Sequence, residues 1–185
     1  MSYARFAAMI ATSTVVMFGL MYLNTYAASH LMFSQTRMWM AAVMGAVMAV
    51  IMIGFMWRMY PRRGVNIGVV IGAVAVFGGA LWLVRSQETV DDLAYMKAMI
   101  PHHSIAIMTS ERARIRDPRV RLIADRIIDA QIREIAEMKR EIARLERRPV
   151  PGDARDIPSY RDRGAPPPPG ETDAAAGIDT TAPVR

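Results

Sequence analysis

The chain has 185 residues, sixteen methionines, no cysteine and a formal charge of +6. Without cysteine it can form neither a disulfide nor a thiolate metal site. Charged residues are scarce up to Val84 and abundant after it, so the composition is that of an apolar half joined to a polar one, not of one evenly mixed globule.

Three apolar runs come first: Phe6–Ala27, Met38–Trp57 and Val65–Val84, none containing Lys, Arg, Asp or Glu. A bilayer core roughly 30 Å thick needs about 20 apolar residues in helical form, so each run predicts a membrane-spanning helix. Trp39, Trp57, Tyr60 and Trp82 lie near the run ends, where amphipathic rings favour the headgroup region. Arg5 precedes the first run and Ala27 and Ala28 follow it, as in a signal peptide, but the length of the run favours a retained helix. The second connection carries Arg58, Arg62 and Arg63, the first only Arg37 and His30. Arginine-rich short loops stay in the cytoplasm. The expected location is therefore a bacterial inner (cytoplasmic) membrane, crossed several times, with everything after Val84 in the periplasm or outside. Met40, Met44, Met48, Met52 and Met56 recur every four residues. Such a row winds about 40° per step and has no polar mark beside it, so it reads as apolar filling and not as an ion path. His30 and Met32 are expected to be exposed loop residues.

Residues 1–88 form the expected membrane domain and 89–148 a helical hairpin. Thr89 or Asp91 suits the cap of a first helix, from about 92 to 116. Asp117 followed by Pro118 is a helix-start pair, opening a second helix that runs to about Arg147, before Pro149 and Pro151. The tail, 149–185, is rich in Pro, Ala and Arg without apolar period and is expected to be disordered.

In the second helix Val120, Ile123, Ala124, Ile127, Met138, Ile142 and Leu145 form one stripe, broadened by Ile128, Ile132 and Ile135, with Gln131 and Glu134 inside it. A carboxylate on a packing face needs a partner. In the first helix Asp92, Met96, Met99, His103 and Ile107 share a face, with His102 on its flank beside Tyr95. Folding the hairpin places His103 opposite Gln131, Met99 and His102 near Glu134, and Met96 opposite Met138. Pro101 removes a backbone donor, frees the Lys97 carbonyl and is expected to kink the helix one turn before the histidines.

Imidazole, carboxylate and thioether converging from two helices suggest a metal site with Met99, His102, His103, Glu134 and Met138 as ligands, and Met96 and Asp92 as second choices. Thioethers favour Cu(I) and imidazole accepts copper or zinc, so copper ranks ahead of zinc or iron. A structural histidine pair bonded to Glu134, with methionines filling gaps, accounts for the same residues. Arg112, Arg114, Arg116, Arg119, Arg121, Arg126 and Arg133 cluster near the turn and along the second helix, so a membrane-tethered dimerisation or docking module without metal is the alternative function. No enzyme is expected, because the Glu-x-x-His motif of ferritin-type di-iron sites is absent.

The segments DLAYMKAMIPHHSIAIM and DAQIREIAEM resemble the domain of unknown function 305 family. Asp92, Tyr95, Met99, Ile100, Pro101, His102, His103, Gln131, Glu134, Ile135 and Met138 occupy the places of its pattern, over about residues 89–147. Where relatives have a methionine soon after the histidines, Met108 and Thr109 stand here. The resemblance implies an all-α, ferritin-like bundle, and some relatives are implicated in periplasmic copper binding and tolerance. The expected activity is copper buffering, tolerance or transfer. With one hairpin copy, half of a four-helix bundle, two chains are expected to pair as a homodimer. The other expected partners are the lipid bilayer and a copper-handling protein; nucleic acid is not expected.

Overall fold

A computed structural model describes residues 2–159 together with 162 and 164. Among these residues the chain is all-α and has no strand. The helices are α1 (Tyr3–Leu20), α2 (Gln35–Phe55), α3 (Arg63–Ser86), α4 (Asp92–Arg112) and α5 (Pro118–Arg147), with 3-10 turns at Ala28–His30 and Trp57–Met59. The first three are each long and apolar enough to cross a membrane. Their bounds shift from the apolar runs, and two of them begin at a capping serine. Ser2 caps α1 through the Ala4 N–H, and Ser34 caps α2 through the Arg37 N–H.

α2 is the central helix, with α1 and α3 each packed on it. Gly45 allows the α1 contact, since a Cβ there would collide with Thr14 Oγ1. At one end of the three helices the fully buried Asn66 ties them together. Its Oδ1 accepts from the Tyr3 hydroxyl at 2.8 Å, and its Nδ2 donates to the Tyr60 carbonyl at 3.1 Å. A buried amide is costly unless bonded, and here both of its ends are. At the other end the Arg37 guanidinium donates to the Met21 carbonyl at 2.7 Å and lies 4.5 Å over the Tyr22 ring. In the methionine row Met40 is exposed and Met44, Met48, Met52 and Met56 are half-buried.

α3 ends at Gln87, whose φ of 56° is left-handed. Four residues later the Asp91 carboxylate caps α4 by accepting from the Ala94 N–H at 2.7 Å. α4 continues through the buried Pro101. The Asp117 carboxylate accepts from the Arg119 and Val120 N–H groups, with Pro118 in the first turn of α5. Two bonds hold the hairpin at its ends: Arg121 Nη1 to the Ser110 carbonyl at the tip, and Lys97 to Glu146 at the base, both 2.9 Å.

The hairpin core is Ile100, Ile107, Ile135 and Ile142, with Leu93, Met96, Ile128 and Met138 against it. This corrects the expected stripe of α5. Val120, Ile123 and Ile127 stay exposed, at 49%, 56% and 38%, while Ile135 is buried. One neighbouring helix covers only part of a helix's circumference, and α5 is apolar over a wider arc than α4 can cover.

A third element completes this core. Met32, from the loop between α1 and α2, packs against the isoleucine cluster. Ser104, fully buried in α4, accepts from the Tyr26 N–H at 2.9 Å and meets His30 Nδ1 at 2.9 Å. His30 and Met32 are therefore half-buried and not the exposed loop residues expected. Residues up to Pro149 cluster as one compact unit, so the change near residue 88 is one of solvent and not a break in packing. The tail beyond 149 lies mostly outside the described residues.

Candidate metal centre

His103 sits on the inner edge of α4 with its side chain 14% exposed. Its Nδ1 lies 2.9 Å from the Met99 carbonyl, one turn back. Its Nε2 lies 2.9 Å from Glu134 Oε2, on α5. Glu134 is half exposed and also accepts from Gln131 Nε2 at 3.2 Å. The helices thus bring His103 to Glu134, three positions beyond the Gln131 expected opposite it. Five non-helical residues, 113–117, join the helices.

Both neighbours of the ring are hydrogen-bond acceptors, while neutral imidazole has a single N–H. With Nδ1–H donated to Met99, the Nε2 lone pair faces the carboxylate. A proton or a metal cation between them removes the conflict. Backbone anchoring of one ring nitrogen is how proteins set the tautomer of a metal-binding histidine. Two ligands each about 2.0–2.1 Å from a tetrahedral ion stand about 3.3–3.4 Å apart. Admitting an ion therefore asks for roughly half an ångström of movement from the exposed Glu134.

The remaining predicted ligands are spread around this pair. Met99 is half-buried. Met96 and Met138 pack on the hairpin core. His102 is exposed, its ring centroid 6.1 Å from that of His103 in an edge-on arrangement. Asp92 is exposed in the first turn of α4, about 16 Å along the axis from His103, and does not join it. Among the described residues no group of three or more His, Cys, Asp or Glu could hold a metal ion.

The sequence reading missed His30. Burial lowers its pKa below the ordinary 6.5, and the positive charge of Lys139 lowers it further. The available signal was Ser104, a small hydroxyl on the inner side of α4 that needs a partner when buried.

A helical hairpin with a His–Glu pair on one side, carried by three apolar helices, is the class of protein that this arrangement defines. The family model described as domain of unknown function (DUF305) matches residues 87–178, and that part of the chain belongs to the family. An uncharacterized protein of Acanthamoeba polyphaga mimivirus is 34% identical over 98 residues, covering 49% of this chain and 64% of the viral protein. The chain thus spans a little under two-thirds of that relative. No solved structure matches the chain.

Proposed function

We propose that the protein is a membrane-anchored copper-binding protein whose site is His103 and Glu134, completed by the thioethers of Met99 and Met138. The observation that carries this reading is the His103 ring, anchored at Nδ1 to the Met99 carbonyl and directed at Nε2 toward a carboxylate. Beside this one imidazole and one carboxylate the two helices carry the half-buried Met96, Met99 and Met138, and thioethers favour Cu(I) over zinc. Met96 is a further sulfur donor and the exposed His102 an outer imidazole from which copper is taken up or released. Orientation by Arg58, Arg62 and Arg63 puts the site outside the cytoplasm of a bacterial cell, suited to buffering copper or passing it to a partner. A second copy covering Val120, Ile123 and Ile127 would shield the site from water, and the mass in detergent tests this.

The decisive experiment is metal analysis of the full chain purified in detergent without chelators, followed by Cu(I) competition titration. His103→Ala should weaken binding by about tenfold or more, as even losing an outer-shell partner costs that much. Glu134→Gln should weaken it less. Copper affinity unchanged in His103→Ala removes the proposal and leaves the second reading, favoured because no third His or carboxylate joins the pair among the described residues. In that reading His103 and Glu134 share a proton and pin a hairpin used for docking.

A further inference from the structure

α5 carries a second regularity that the hairpin core does not use. Arg119, Arg126, Arg133, Arg140 and Arg147 recur at intervals of seven residues. Seven residues fall about 20° short of two full turns, so the row winds slowly along the side of α5 opposite α4. At 1.5 Å per residue it runs about 42 Å. All five are exposed, and none is ion-paired among the described residues. Other arginines of the helix behave differently: Arg121 is held by Asp125 and the Ser110 carbonyl, and Arg144 by Glu141. Asp129 and Glu137 each stand four residues from Arg133, within helical pairing reach, and still do not engage it. They offset part of the charge and leave the row basic.

The surroundings of the row indicate what it meets. Leu122, 50% exposed, lies on its flank, and Ile132, 54% exposed, stands about a quarter-turn away, with Ala136 between Ile132 and the arginines. Only residues 87–91 separate α3 from α4, and Ser104 holds α4 against the outer loop. The hairpin therefore stays at the bilayer surface. α4 packs on α2 and on the Ala28–His30 turn, and α5 lies beside α4, with Lys139 close enough to the outer loop to act on His30.

We propose that this face of α5 rests on the anionic headgroups of the bilayer in which the chain is anchored. The guanidinium groups would bond lipid phosphates, and Leu122 and Ile132 would enter the headgroup boundary. Guanidinium forks match phosphate geometry, and their long stems let the charge reach sideways to the interface. The tether keeps the local lipid concentration high, so a modest attraction per residue is enough. A soluble polyanion would use the charges but not the exposed leucine and isoleucine beside them. The inference does not depend on copper binding.

The chain has no cysteine, so Ala136→Cys gives a single labelling point between Arg133 and Arg140. The full chain, labelled there with an environment-sensitive fluorophore, is placed in nanodiscs of phosphatidylcholine alone or with phosphatidylglycerol. Emission should move to shorter wavelength in the anionic discs and return in high salt. The shift should be lost when Arg126, Arg133 and Arg140 are all changed to Gln. These side chains are exposed, and circular dichroism should show the helices of that variant intact. Equal emission in both lipids, or a shift that survives the triple change, overturns the proposal. So does a response to soluble polyphosphate in neutral discs with none to phosphatidylglycerol.

Discussion

Replacing Ser104 by alanine tests whether the outer loop belongs to the hairpin core. The serine is fully buried, and its hydroxyl serves two loop groups, the Tyr26 N–H and His30 Nδ1, each at 2.9 Å. A typical hydrogen bond contributes about 0.5–1.5 kcal/mol net, and a buried group left without a partner costs about 1–3 kcal/mol. Tyr26 and His30 are not fully buried, so water replaces part of what is lost. The expected weakening of loop docking is then about 1–3 kcal/mol in total. Alanine also favours the helix slightly more than serine, so α4 itself should not loosen. In local opening terms the Tyr26 amide should exchange about 5–150 times faster. Hydrogen-exchange mass spectrometry on the full chain in detergent reads this directly over residues 25–33, with α2 as the internal reference. An unchanged Tyr26 rate, or acceleration spread evenly over α1 and α2, refutes the coupling.

Gly45→Ala should lower the melting temperature in detergent, because the added methyl meets Thr14 and overpacking costs about 1–3 kcal/mol. Thr14→Ala in the same chain should restore it, and a double variant no better than Gly45→Ala alone contradicts the close approach. Asn66→Leu keeps the forked shape, is bulkier at a fully buried position, and takes one partner from the Tyr3 hydroxyl and one from the Tyr60 carbonyl. A loss of about 1–3 kcal/mol follows, and an unchanged melting curve counts against it. Acidification should release the outer loop. The pKa of His30 in the folded chain lies below its ordinary 6.5, so the unfolded loop binds more protons in that range. Its contribution is full above 6.5 and is lost as pH falls through the lowered value. Tyr26 protection, corrected for intrinsic exchange, should fall on acidification in the native chain and vary less in His30→Gln.

Much of the fold was legible because its signals are local. The three spans follow from apolar runs without charge, and the start of α5 from Asp117 beside Pro118, where the carboxylate does cap the helix. The face shared by Met96, Met99 and His103 follows from helical spacing alone. What spacing cannot supply is register between two helices. His103 meets Glu134 and not Gln131, a difference of less than one helical turn that the spacing within either helix does not state. Nor does an apolar period state which part of a wide arc is covered, and that is why Ile123 and Ile127 stay exposed while Ile135 is buried. The loop was the larger omission. Met32 and His30 sit far from the hairpin in sequence, and only tertiary packing brings them to Ile100 and Ser104.

α4 is where these parts meet. Consecutive residues of a helix stand about 100° apart, so His103 and Ser104 look toward different neighbours from the same turn. Ser104 is bound to the outer loop, and His103 to Met99 and Glu134. Just before them Pro101 has no N–H to give the Lys97 carbonyl, so backbone bonding is thinnest where the candidate site begins. Side-chain bonds on both sides then set the position of this turn. A fragment beginning near residue 89 would keep His103, Glu134 and the methionines of α4 and α5, yet lose Tyr26, His30 and Met32. Its core would lack one of the three elements that cover it, and its copper affinity would report on a loosened turn. Full-length protein with Ser104→Ala is the better control. It removes the loop contact without touching a candidate ligand, and so separates the contribution of packing from that of coordination.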